Sequence, residues 1–146
     1  MAVTAARKTE ERAGKQFSQP VLADEVIHKG SMVALNADGF AVAVTTATDL
    51  NSAGLAEESV DNTGGDDGDV RVTIRYGVFK WTNGAAADEI VRADIGGNAY
   101  GVDNDTVSDV ATGRSIVGTI VDIDDDGGIW VLMSPDSVAK LTDLDT

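Results

Sequence analysis

The segment DVRVTIRYGVFKW, residues 69–81, constrains this chain more than any other stretch. Val70, Val72, Ile74 and Tyr76 alternate with Arg71, Thr73 and Arg75. A period of two places the apolar set on one face of a β-strand, whereas a helix would scatter it around the axis. At Gly77 the phase breaks, and the large apolar residues move to Phe79 and Trp81. A bulge or bend is expected there, because glycine tolerates the backbone that a strand irregularity requires.

Shorter β-runs flank this strand. Val26–His28, Ser31–Leu35 and Phe40–Val44 read as strands, with Asn36-Ala37-Asp38-Gly39 as a connecting turn. Leu50–Val60 is a weaker strand interrupted by Gly54, and Asp61–Asp69 (DNTGGDDGD) has the composition of a loop. A helical turn is expected over Asp88–Asp94. Asn98–Val102 and Thr106–Val110 form a hairpin around Asp103-Asn104-Asp105. Ser115–Ile123 pairs with Ile129–Met133, with apolar residues on both faces, as in strands covered on both sides. Ser134-Pro135-Asp136 reads as an N-cap with proline in the first turn, opening a short C-terminal helix through Leu141. About eight short strands with frequent turns predict a mainly β chain, a small antiparallel β-barrel or sandwich, β-tulip-like in outline. No internal repeat stands out.

Residues 1–25 break this pattern. They mix polarities, contain Gly14 and Pro20, and lack sustained periodicity. Ordering such a segment costs about 1–2 kcal/mol per residue of backbone entropy, with little apolar surface to offset it. The expectation is an extended N-terminal arm over 1–25, with a reach of roughly 80 Å, and a β-body over 26–146. Charge divides the chain in a similar way. Residues 1–16 carry Arg7, Lys8, Arg12 and Lys15 against Glu10 and Glu11, while the whole chain of 146 residues has a net charge of −14. A strongly acidic body repels phosphate backbones, so nucleic acid is not an expected partner. No run of residues is apolar enough for a membrane span, and the N-terminus lacks the apolar core of a secretory signal. A soluble protein made in the cytoplasm is the expectation.

Candidate chemistry is sparse. The chain has no cysteine, which removes thiolate chemistry and Cys-ligated zinc. His28 is the only histidine and reads as a structural or surface residue. Asp122, Asp124 and Asp126 match the first half of a calcium loop, D-x-D-x-D-G, but Met133 stands where the bidentate glutamate belongs. An acidic hairpin turn is the simpler account, with calcium as a weak alternative. Gly64-Gly65 and Gly96-Gly97 lack the spacing and context of a nucleotide-binding loop, and no nucleophile motif occurs. The residues point to a non-enzymatic protein without a cofactor.

Four segments stand in order: VIHKGSMVALNADGFAVAV, GLAEESVDNTGGDDGDVRVTIRYGVFKW, ADIGGNAYGVDNDTVS and IVGTIVDIDDDGGIWVLM. This succession of strand and turn words resembles the cement, or head-decoration, proteins of tailed bacteriophages. The resemblance covers most of the chain and rests on that grammar rather than on catalytic residues. It implies a structural protein on the outer surface of the capsid in the virion, commonly a homotrimer, whose partner is the major capsid protein. Such proteins clamp neighbouring capsid subunits against internal DNA pressure. On this reading Arg7, Lys8, Arg12 and Lys15 meet carboxylates on the shell, and Phe17, Val21 and Leu22 supply apolar contacts. Two other readings are a calcium-binding surface or adhesion β-module using Asp122, Asp124 and Asp126, and another virion β-protein such as a head-fibre or tail component.

Overall fold

The computed structural model describes residues 2, 4–10 and 15–134. Among the described residues, twelve strands are arranged as one five-stranded sheet, one closed five-stranded barrel and a two-stranded ribbon. The chain is mainly β, as the alternation predicts. The C-terminal helix expected from Ser134 onward lies outside the described residues.

The first sheet contains β1 (Gln16–Pro20), β3 (Met32–Leu35), β4 (Ala41–Ala43), β5 (Asn51–Ala56) and β7 (Arg71–Arg75), in the order β1-β7-β5-β3-β4. The alternating segment becomes β7, with Val72 and Ile74 buried and Arg71 and Arg75 exposed. The Asn36–Gly39 turn joins β3 to β4, and the Asn36 side chain closes it by accepting from the amides of Asp38 and Phe40. A two-stranded ribbon, β2 (Val26–Ile27) with β6 (Val60–Asp61), brings Ile27 into the same core.

The arm is shorter than the sequence implies. Gln16–Pro20 is a strand paired antiparallel to β7, from Gln16 opposite Arg75 to Pro20 opposite Arg71. Val21 is fully buried and bridges Ala41, so the sheet curls until its two edges meet. The body therefore begins at Gln16 rather than Val26. The acidic loop explains why residues 21–25 stay in place. The buried Asn62 donates its side-chain amide to the carbonyls of Val21 and Leu22, and Asp67 accepts from the amide of Ala23. Glu25 accepts from the amide of Ala43, and Asp24 from that of Gly64. A segment with no periodicity is fixed by side chains that lie about forty residues away.

The barrel contains β8 (Gly77–Asn83), β9 (Asn98–Gly101), β10 (Thr106–Ser108), β11 (Ile116–Ile123) and β12 (Ile129–Met133), closed in the order β10-β8-β12-β11-β9. The phase break at Gly77 is the point where the chain leaves the sheet and enters the barrel. The amide of Tyr76 still bonds to the carbonyl of Lys15, whereas Gly77 pairs with Met133. The expected hairpin is β9–β10, and the expected last pair is β11–β12. The turn expected at Asp88–Asp94 is two single 3-10 turns, Ala86–Asp88 and Arg92–Asp94, either side of the buried Ile90.

Two cores share one wall. Met32 and Ala34 face the barrel core with Trp81, Ile120, Ile129 and Val131, while Val33 faces the sheet core with Val21, Ile27, Val72 and Ile74. Each large side chain fully buried in this way contributes about 1.5–3 kcal/mol. Where β5 crosses this wall, Gly54 has a φ of 128°, and a Cβ there would lie 2.4 Å from the carbonyl oxygen of Arg75. Substituting Gly54→Ala combines a disfavoured backbone with a clash against a neighbouring main chain. Its expected cost is about 2–4 kcal/mol of unfolding free energy, measurable by urea denaturation.

Candidate interaction surfaces

The run IWVLM forms β12, and its parity divides it between two environments. Ile129, Val131 and Met133 point into the barrel and are fully buried. Trp130 and Leu132 point outward. Cross-strand register builds two outward rows on β8, β12 and β11. Val78, Leu132 and Thr119 lie side by side, and Lys80, Trp130 and Asp122 form the next row. The register shift between Ile120 and Asp122 turns Val121 outward as well. Val78 is 47% exposed, Val121 39% and Leu132 37%. The sequence led us to expect cover on both faces of this pair, but the outer face has none among the described residues. A row of aliphatic side chains edged by a lysine, an indole and a carboxylate has the composition of a contact surface: apolar centre, polar rim.

The acidic turn after β11 borders this face. Lys80 Nζ lies 2.7 Å from Asp126 Oδ2 and 3.5 Å from Asp124 Oδ2. It also stands 5.9 Å from the centre of the Trp130 ring. Trp130 Nε1 donates to Asp124 Oδ1, Gly128 N to Asp126 Oδ1, and Ile123 N to Asp122 Oδ1. The carboxylates that a calcium ion would need are thus directed at an ammonium group, an indole and amides. Among the described residues no group of three or more acidic or histidine side chains is placed to hold a metal ion. In this arrangement the cation beside Asp124 and Asp126 is the Lys80 ammonium, and Asp122 stands apart from it, bonded to the amide of Ile123. His28 is exposed. Next to the turn, an open groove of about 530 Å³ runs past Lys80, Thr82, Asn83, Glu89, Asp105 and Gly128.

Lys80 and the amide of Gly128 hold the Asp126 carboxyl down at about 2, against 3.8 for a free aspartate. A folded-state value below the unfolded one means that ionised Asp126 favours the folded chain at pH above about 4. That contribution is lost as pH falls from about 4 towards 2. In Lys80→Met, melting temperature should fall less steeply over this acid window than in the parent chain, as followed by circular dichroism.

A second charged cluster was invisible in the sequence because its members are far apart along the chain. Arg114 grips Asp88 with two bonds, Nη1 to Oδ1 at 2.8 Å and Nη2 to Oδ2 at 3.1 Å. It also reaches the buried Ser108 and the carbonyl of Val110, tying the loop after β10 to the first 3-10 turn. Asp109 lies against Asp94, and its buried Oδ1 has no hydrogen-bond partner among the described residues. Burial, then Asp94, raise the Asp109 pKa. A carboxyl with a raised folded-state value stabilises the fold only while protonated, so its contribution declines as pH rises above about 4. Asp109→Asn should therefore melt higher than the parent at pH 7, and the difference should vanish near pH 3.

The basic head ends beside β1. Arg7, Lys8 and Lys15 are exposed, and Arg12 lies outside the described residues. The apolar residues assigned to partner contact are divided. Val21 is buried in the chain's own core, which removes it from any external surface. Phe17 is half-buried against Tyr76, with ring centres 5.1 Å apart, and Leu22 is half-buried. The outer barrel row is the apolar surface that sequence reading missed. The signal was present in IWVLM, because five consecutive apolar residues in a strand must put at least two of them outside. No protein-family model, curated protein or solved structure matches this chain.

Proposed function

We propose that this chain is a structural phage decoration protein that docks in many copies on the outside of the mature capsid. The observation that carries the reading is the exposed basic head, with Arg7, Lys8 and Lys15, which enters an acidic body at β1, the outermost strand of its sheet. Charge of opposite sign on head and body lets the head seek carboxylates on the major capsid protein while the bodies repel one another and stay dispersed. Rim ion pairs contribute about 0–1 kcal/mol each, so the affinity must come from several contacts and from repetition, for example in a homotrimer. The resemblance of the strand and turn order to head-decoration proteins supports the same reading.

Mixing the purified chain with undecorated expanded heads and imaging the particles by electron microscopy tests it. Ordered density on the outer shell is expected. Density confined to a fibre or the tail would transfer the chain to another virion role, and no density at any concentration would end the proposal. Removing residues 1–14 leaves β1 intact, so the shortened chain should fold, yet decorate heads poorly and lose the salt dependence of the parent. Full decoration by it would remove the head from the mechanism.

A further inference from the structure

Asn83-Gly84 is the one Asn-Gly pair in the sequence, and it stands where β8 ends and the loop to Ile90 begins. An asparagine followed by glycine is chemically labile, because glycine puts no side chain in the way of its own nitrogen. The deprotonated Gly84 nitrogen attacks the side-chain carbon of Asn83: an N–C bond forms, the C–Nδ2 bond breaks, and ammonia leaves. Water then opens the cyclic imide to aspartate or its β-linked isomer. In the fold that carbon is not free to meet the nitrogen. Asn83 Nδ2 donates to the carbonyl of Ile90 at 3.0 Å, and Oδ1 accepts from the amide of Ile90 at 2.8 Å. Two bonds to one residue fix the plane of the amide, and Asn83 itself lies in a strand, opposite Val107. Neither half of the labile pair is replaceable. A carboxamide can both donate to and accept from the Ile90 backbone, which a carboxylate cannot. A Cβ at position 84 would lie 2.4 Å from the carbonyl oxygen of Asp88, so glycine is required there.

We propose that Asn83-Gly84 is a deamidation site held shut by its clasp on Ile90, and that conversion, once the chain has opened, prevents the clasp from reforming. The new carboxyl can still accept from the Ile90 amide. Its second oxygen, ionised at neutral pH, faces the Ile90 carbonyl with no proton between them. The added charge also enters a groove that Glu89 and Asp105 already line, where Lys80 is engaged by Asp126. The clasp holds a loop under load, since Ala86 has a φ of 54°, a left-handed backbone that non-glycine residues avoid. Ile90, only 2% exposed, is the point where this loop enters the barrel core. Losing the clasp relaxes Ala86 and loosens Ile90, while the grip of Arg114 on Asp88 stays in place. The reaction runs one way, so a chain that has once opened keeps the mark. None of this depends on a role on a capsid.

Holding the parent chain folded and guanidinium-unfolded at the same mildly alkaline pH tests the first half. Peptide mapping by mass spectrometry should find Asn83 converted at least about tenfold more slowly in the folded chain. Equal rates would overturn the proposal. The second half is read by hydrogen exchange in Asn83→Asp. Residues 84–91 should exchange faster than in the parent, while the amides of β11 and β12 keep their protection. Asn36→Asp is the control. It adds the same charge, but Asn36 uses its side-chain oxygen to accept from the amides of Asp38 and Phe40, so residues 84–91 should match the parent. Unchanged exchange over 84–91 in Asn83→Asp, or equal loosening there in Asn36→Asp, would also overturn the proposal. The rate comparison needs no variant, so it remains decisive if Asn83→Asp fails to fold.

Discussion

The wall made by β3 and β5 has to serve two cores at once, and everything else in the structure is arranged around that demand. Met32 and Ala34 fill one side of β3 and Val33 the other, so neither face of the strand is available to solvent. A strand in this position cannot follow the polar–apolar alternation of an edge or half-exposed strand, and MVAL indeed has none. Ala34 on β3 and Ala53 and Ala56 on β5 are small, and at Gly54 the side chain is absent altogether. Without a Cβ, Gly54 lies against the carbonyl of Arg75 on the neighbouring β7. A chain with few aromatic residues obtains two packed interiors by sharing one partition between them.

Charge is arranged with equal economy. Several carboxylates cap turns: Asp61 takes the amide of Thr63, Asp103 those of Asp105 and Thr106, and Asp94 that of Val91. A short acceptor at a turn satisfies an amide that would otherwise be left to water. Two cations, Lys80 and Arg114, are reserved for places where aspartates converge. Part of the acidity is therefore a by-product of how the loops are closed, and the N-terminal head is the region of opposite sign.

Much of this architecture was legible in the residues. The alternation of Val70 to Arg75 defines β7, the break at Gly77 marks a real change of sheet, and the two final strands pair as their apolar content predicts. What the sequence concealed depends on distance along the chain. QFSQP has no alternation of its own and becomes a strand because β7, more than fifty residues later, needs a partner on its open side. Asn62 and Asp67 look like loop residues until their bonds to Val21, Leu22 and Ala23 are seen. Lys80 and Asp126 are separated by 46 positions and Asp88 and Arg114 by 26, so no local motif announces either pair. The partner of the acidic turn was hidden for a related reason. Carboxylate spacing along the chain carries no information about a lysine arriving from another strand.

The register of β1 against β7 has a mechanical consequence. Gln16 sits opposite Arg75, so the head and the crossing into the barrel leave the sheet at the same end of that pair. Tension between an anchored head and the barrel acts across the ladder rather than along it, opening one rung at a time, beginning with the bond from Tyr76 to Lys15 and the contact of Phe17 with Tyr76. An unzipping geometry of this kind yields at low force. The closed barrel, whose strands have no free edge from which to start, would stay intact while the first strand peels away.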